Sequence, residues 1–205
     1  MFSISWGDFF WEYSKAIFFA ILLAMLIRSF VIQAFHIPSG SMIPTFLEGD
    51  RVLVSKFSYG IRNPFNNEII IQTGAPTRGD VVIFKFPENT EVDFVKRVIG
   101  LPGETIEIKD GKIFIDGFFV FDPHGHYNKD YYTHSRDFGP YKIPENEYFM
   151  MGDNRDYSND SRVWGSVDIS LLRGKAWILY WSWDPRNGLS FWKRLRFDRL
   201  GMKIL

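Results

Sequence analysis

The alternation of apolar and polar positions changes once, near residue 36. Before it lies AIFFAILLAMLIRSFVIQAF, 20 residues from Ala16 to Phe35 whose only strongly polar members are Arg28 and Gln33. At 1.5 Å per residue, such a run forms a helix ~30 Å long, the thickness of a bilayer core. Arg28 stands near its C-terminal end, where a long side chain reaches the headgroups. Trp6, Trp11 and Tyr13 stand at the other end, as an interfacial aromatic belt does. A cleaved signal peptide is the main rival reading. It lacks a positive leading segment here, since Asp8 and Glu12 precede Lys15. A buried core helix is a second rival. The charges that flank the run, Lys15 and Arg51, do not set its orientation.

After residue 36 the period is two. Arg51–Val54, Asp80–Phe84 and Phe94–Ile99 are short β-branched runs closed by Gly or Pro, and predict strands. Ile106–Ile115 alternates around Asp110-Gly111, the strongest hairpin signal in the chain. Glu147–Met151 and Lys175–Trp181 predict further strands. Residues 116–147 are rich in Gly, Pro, His, Tyr and charge, and predict a protruding loop or ribbon. The expected organisation is a short N-terminus and transmembrane anchor over 1–35, then a mostly β domain over 36–205.

Composition adds exclusions. Net charge is zero, 24 basic against 24 acidic residues, which gives no electrostatic case for nucleic acid. The 205 residues contain no cysteine, so disulfides, thiol catalysis and cysteine metal sites are excluded. The 21 Phe, 9 Tyr and 7 Trp are enough for a full core and for an apolar surface that touches lipid. Tyr180, Trp181, Trp183, Phe191 and Trp192, followed by Lys193, Arg194 and Arg196, are candidates for that surface.

The chemistry begins at Pro38-Ser39-Gly40-Ser41-Met42-Ile43-Pro44. Ser41 follows the apolar run by six residues, a reach of at most ~20 Å. A serine hydroxyl needs a base before it attacks a carbonyl. None of His36, His124, His126 and His134 sits in a triad motif, and His124-x-His126 lacks a third ligand at a metal-binding spacing. A lysine is the other choice, provided that burial lowers its pKa enough to leave it neutral. In Phe94-Val95-Lys96-Arg97-Val98, strand alternation puts Phe94, Lys96 and Val98 on one face. Val95 and a solvated Arg97 take the other. On spacing alone Lys96 reads as an ordinary surface lysine.

The order of motifs changes that balance. Ser41 in its Pro-Ser-Gly-Ser-Met turn, Gly49-Asp50-Arg51-Val52-Leu53-Val54, Arg78-Gly79-Asp80-Val81-Val82, Lys96-Arg97-Val98-Ile99-Gly100-Leu101-Pro102-Gly103 and Gly152-Asp153-Asn154-Arg155-Asp156-Tyr157-Ser158-Asn159-Asp160-Ser161-Arg162-Val163-Trp164-Gly165 follow one another. Together they resemble the motif boxes of bacterial type I signal peptidases, which use a serine–lysine dyad. Two departures are Tyr157, where Asn is common, and Phe94, where Tyr is common. The resemblance implies an antiparallel β catalytic domain of that type after one transmembrane helix. It implies Ser41 as nucleophile and Lys96 as general base, with Ser39 and the Ser41 N–H as the oxyanion hole. Ser158 would orient the lysine amine. Ile37, Val95, Met42 and Phe94 would line the substrate pocket, and Arg97, Asp153, Asp160 and Arg162 would support the site. A solvated charged turn is the plainer reading of those four. No cofactor or metal is implied. The implied partners are signal peptides of exported preproteins and membrane lipid. The implied location is the bacterial cytoplasmic membrane, N-terminus inside and catalytic domain outside. Rival functions are a related serine–lysine peptidase dedicated to one substrate, a self-cleaving repressor, and an inactive membrane-anchored peptide-binding domain. A repressor would carry a DNA-binding helix pair instead of the anchor.

Overall fold

Helix α1 (Trp6–Phe30) and thirteen strands are the main elements among the described residues of the computed structural model, which describes residues 6–63, 69–128, 136–186, 188 and 190–204. The helix starts earlier and stops earlier than the apolar run predicts. Ile32–His36 leaves it to form strand β1, paired with β2 (Asp50–Ser55) from Ile32↔Ser55 to His36↔Arg51. The reason is local: Arg28 in the last helical turn suits the negative helix end, and the edge of a sheet satisfies the peptide groups of Ile32–His36. Among the described residues α1 is the one helix long and apolar enough to cross a bilayer, and none of its apolar window Phe10–Arg28 is buried.

The strands after β2 are β3 (Ile61–Arg62), β4 (Ile69–Ile71), β5 (Val81–Phe86), β6 (Asn89–Gly100), β7 (Thr105–Lys109), β8 (Lys112–Ile115), β9 (Phe118–Val120), β10 (Phe138–Lys142), β11 (Glu147–Met151), β12 (Val167–Asp168) and β13 (Leu172–Ser182). The main sheet runs β1-β2-β13-β5-β6-β11-β12, a second runs β10-β7-β8-β9, and β3 pairs with β4. Every strand pair among the described residues is antiparallel. The β7–β8 turn is Asp110-Gly111 with φ of 47° and 75°, the two left-handed residues a tight hairpin needs. The segment expected to protrude supplies both edges of the second sheet: β9 pairs with β8 and β10 with β7. Residues 129–135 of that segment, with His134, lie outside the described residues.

The middle of the main sheet is covered on both faces. Along β5, Val81 and Ile83 join one cluster with Ile37, Met42, Phe46, Val54, Val95 and Leu179. Val82 and Phe84 join another with Val98, Tyr148, Met150 and Leu172. Each such fully buried side chain contributes roughly 1.5–3 kcal/mol. Strand β6 is exposed at its start and buried from Val95 onward. Its end, with Phe149 and Met151 of β11, packs Ile99 against the isoleucines of the second sheet. Lys96 and Arg97 therefore lie in the most enclosed stretch of β6.

Candidate active site

After β1, Ile37 N–H donates to Asp50 O (2.9 Å) and Gly49 N–H to Ile37 O (2.9 Å), closing residues 38–48 into a pinned loop. Within it Gly40–Met42 form one 3-10 turn, and Ile43 N–H donates to Gly40 O at 3.2 Å. The turn sends its side chains opposite ways. Met42 is wholly buried in the core with Phe46 and Val95. Ser41 turns toward β6, where Lys96 Nζ stands 2.7 Å from its Oγ. Met42 does not line the cleft, contrary to the expectation from resemblance; it is the floor beneath the serine.

Lys96 pairs with Val82 across β5 and is 3% exposed. Its Nζ lies 5.4 Å from the centre of the Phe94 ring. Burial pushes its pKa down to about 8, against the pull of the Asp160 and Asp153 carboxylates, which favour the charged form; Arg162 pushes the same way as burial. Ser39 Oγ is 3.5 Å from Ser41 Oγ.

Arg97 is not the solvated residue that strand alternation predicts, because the second sheet and the residues after β11 cover that face. It is 1% exposed and grips Asp153 with two hydrogen bonds, Nε to Oδ1 and Nη2 to Oδ2, both 2.8 Å. Asp153 also accepts from Thr45 Oγ1 (2.5 Å), and Arg97 Nη1 donates to Gly79 O (2.6 Å). Asp160 and Arg162 form a second bidentate pair at 2.8 Å. Asp160 also accepts from Gly152 N–H (3.1 Å), and Arg162 donates to Arg155 O (2.6 Å). The four charged residues are thus two buried pairs that fold residues 152–162 against the serine turn, not a solvated turn.

Gly152 sits where that segment meets the serine. A Cβ there would lie 2.2 Å from Ser158 Oγ and 2.5 Å from Ser41 O, so no other residue fits. Ser158 Oγ is buried beside it and, among the described residues, has no hydrogen-bond partner. The bond from Ser158 to the lysine amine that resemblance implies is absent in this state, in which Lys96 Nζ engages Ser41. Asn154, which sequence reasoning left without a role, donates from its backbone N–H to Ser41 O (3.1 Å) and from Nδ2 to Gly40 O (3.0 Å).

Ser41 and Lys96 open into a cleft of about 360 Å³. Ile37, Val95 and Phe94 line it as expected, together with Phe35, His36, Ile83, Val92, Asp93, Tyr157 and Asn159. Phe35 and His36 escaped sequence reading because the apolar run hides β1. Tyr157 carried a signal, its departure from the motif, and it stands 59% exposed at the cleft.

Residues 10–181 match the family model described as signal peptidase, peptidase S26. Signal peptidase I of Pseudomonas fluorescens is 37% identical, over 93% of this chain and 78% of its own length. The chain belongs to the signal peptidase family, peptidase S26. Signal peptidase I of Pseudomonas aeruginosa is 36% identical over 85% of this chain and 74% of that protein. Signal peptidase I P of Bacillus subtilis subsp. natto is 39% identical over 74% of this chain and 77% of that protein. A crystallised signal peptidase I from Enterococcus faecalis V583 has 32% identity and a TM-score of 0.44, covering 49% of this chain and 96% of that one. Membership makes the chain a serine peptidase, and the apolar helix α1 fits a membrane-anchored protein.

Proposed function

We propose that this signal peptidase cuts signal peptides from exported preproteins with Ser41 as nucleophile and Lys96 as the base. The observation that carries this reading is the 2.7 Å approach of a buried lysine amine to a serine hydroxyl, both opening into one apolar cleft. With the amine neutral, Ser41 Oγ–H donates to Lys96 Nζ. Oγ attacks the carbonyl carbon as Nζ takes its proton. The oxyanion receives hydrogen bonds from Ser39 Oγ–H and the Ser41 N–H. Collapse breaks the C–N bond, and the lysine proton passes to the leaving amine. Water then gives a proton to Lys96 and attacks the ester; Ser41 leaves with the proton returned. Ser158, buried beside Gly152, orients the lysine amine when substrate takes the serine. The ion pairs Arg97–Asp153 and Asp160–Arg162 hold residues 152–162 in place and keep both acids from meeting Lys96 as free charges.

Ile37, Val95, Phe94 and Ile83 form shallow apolar walls, which suits small side chains on an extended peptide lying along a strand edge. The N-terminal segment and anchor run to Phe30, and the catalytic domain begins with β1 at Ile32, ahead of the boundary after residue 35 that the apolar run suggests. The anchor spans the bacterial cytoplasmic membrane with its N-terminus inside, and β1 carries the chain from bilayer to serine. The exposed Tyr180, Trp181 and Trp192, with Lys193, suit a lipid surface. Trp183 is half-buried with Arg194 5.4 Å over its ring, Arg196 pairs with Asp184 and Asp50, and the Phe191 side chain lies outside the described residues.

The test is to incubate the full chain in lipid with a preprotein and sequence the new N-terminus. The expected cut follows a small residue, with another small residue two positions before it, and it vanishes in Ser41→Ala. Cleavage that survives Ser41→Ala, or that ignores the size of those residues, would overturn the reading.

A further inference from the structure

The peptide unit between Gly40 and Ser41 joins two atoms with opposite duties. Its N–H, on Ser41, is the oxyanion donor of the reading above, on which this inference rests. Its C=O, on Gly40, points the other way, because a trans peptide is planar and sets the two bonds antiparallel. Whatever grips the Gly40 oxygen therefore aims the Ser41 hydrogen. The Asn154 side chain grips it: Nδ2 donates to Gly40 O at 3.0 Å, from a residue whose own backbone N–H donates to the next carbonyl, Ser41 O, at 3.1 Å. Asn154 thus holds two successive peptide planes of the nucleophile turn from 114 positions away in the chain. The Ile43 N–H, at 3.2 Å, is the second donor on the same Gly40 oxygen.

Two physical effects follow. First, the plane cannot rock, so the Ser41 N–H keeps its direction while charge develops on the substrate oxygen; a donor that need not reorganise is worth most at that moment. Second, a hydrogen bond accepted by the carbonyl draws electron density through the peptide unit and strengthens its N–H as a donor. Gly40 itself leaves little slack: a Cβ there would lie 3.0 Å from Ile43 Cδ1, so the turn is already close-packed on that side.

We infer that Asn154 is a positioning residue for the oxyanion hole, acting through the Gly40–Ser41 peptide plane and touching neither substrate nor Lys96. The backbone bond from Asn154 N–H to Ser41 O survives any side-chain change, so the turn stays in place while one grip is lost. Asn154→Asp keeps shape and removes the donor; Asn154→Ala removes the side chain altogether.

The experiment uses the full chain in detergent, with a peptide substrate for kinetics and a serine-acylating probe carrying a 13C carbonyl. Loss of a whole oxyanion donor costs about 10²–10³ in kcat, and a donor that is only misaimed costs less, on the order of 10-fold. Both variants are expected to lower kcat by about that factor with KM within roughly twofold, and Asn154→Ala, which adds no charge near Lys96, to leave the midpoint of the pH–rate limb where it is in the parent. The ester carbonyl stretch of the acyl-enzyme is expected to rise in frequency, because a weaker oxyanion hole polarises that carbonyl less. Melting curves establish that each variant is folded. Unchanged kcat, or an unshifted carbonyl band in a variant that acylates, would overturn the inference. A fall in kcat accompanied by a moved pH midpoint in Asn154→Ala would also overturn it, since the residue would then act on Lys96. Ser41→Ala run in parallel separates the two levels: if it still cleaves, the serine reading itself fails; if it is dead while Asn154→Asp behaves as the parent, only the role of Asn154 fails.

Discussion

Arg97 and Asp153 meet edge to edge, two 2.8 Å hydrogen bonds between a guanidinium 1% exposed and a carboxylate wholly buried. Asp153 lies next to Gly152 and Asn154, and Arg97 next to Lys96. The pair thus ties the strand of Lys96 to the segment that clasps the Ser41 turn. Removing one partner of such a buried pair leaves the other uncompensated and costs about 3–5 kcal/mol, whereas replacing both by apolar groups costs much less. Asp153→Ala is therefore expected to lose about that much stability, and Arg97→Met with Asp153→Leu to recover most of it. Denaturant unfolding of the single and double variants measures both. Equal losses in the two would mean that the pair's charge balance is not what matters.

Gly152 is expected to tolerate no side chain. The Cβ of Gly152→Ala would press on Ser158 Oγ and on the Ser41 carbonyl. The rotatable hydroxyl can give way, but the backbone carbonyl can move only by shifting the Gly40–Met42 turn. A misplacement of about 1 Å costs on the order of 10²-fold in rate. Cleavage rate against a melting curve tests this: a folded variant with a large loss of kcat is the expected result, and parental kcat would contradict it.

Lys96 is expected to reduce stability while it enables catalysis. Its folded pKa, lowered to about 8, lies below the unfolded value near 10.4. Between those values the unfolded chain binds more protons, so the stability of the parent rises with pH across that window. The cost of burying the ammonium is fully present below about pH 8 and gone above about pH 10.4, and corresponds to about 3 kcal/mol. Lys96→Met should then be inactive yet more stable than the parent near neutral pH, by up to that amount. The advantage should shrink through the alkaline window. Unfolding curves for both proteins across pH measure it; an advantage that does not change with pH would show that desolvation of this amine is not the cause.

Much of this was legible in the sequence, and the gaps have physical causes. Arg51–Val54, Asp80–Phe84, Ile106–Ile115 and Glu147–Met151 carry enough β-branched or alternating residues to declare themselves, and each falls on a strand or hairpin, with Asp80 one residue ahead of β5. Ile32–His36 did not, because it continues the apolar character of the helix and becomes a strand only by pairing with β2. Phe118–Val120 is three residues long, and Phe138–Lys142 contains Gly139 and Pro140; both are strands through their neighbours in the second sheet. Ser41 and Lys96 were found by motif order, and the fold brings them together. The burial of Arg97 was not legible, since alternation along one strand cannot say that another sheet covers its second face. Asn154 stands inside the Gly152–Gly165 motif, but its two bonds reach the serine turn through space and leave no trace in local spacing.

The central claim is that a buried, neutral Lys96 removes the proton from Ser41. The most direct measurement is the rate at which a serine-acylating probe modifies Ser41, followed by mass spectrometry across the pH range. The expected rate rises to a plateau with a midpoint near the pKa of about 8 set by burial, and Ser41→Ala and Lys96→Ala show no modification. A midpoint near the free-lysine value of about 10.4, or one near the histidine value of about 6.5 that persists in Lys96→Ala, would contradict it.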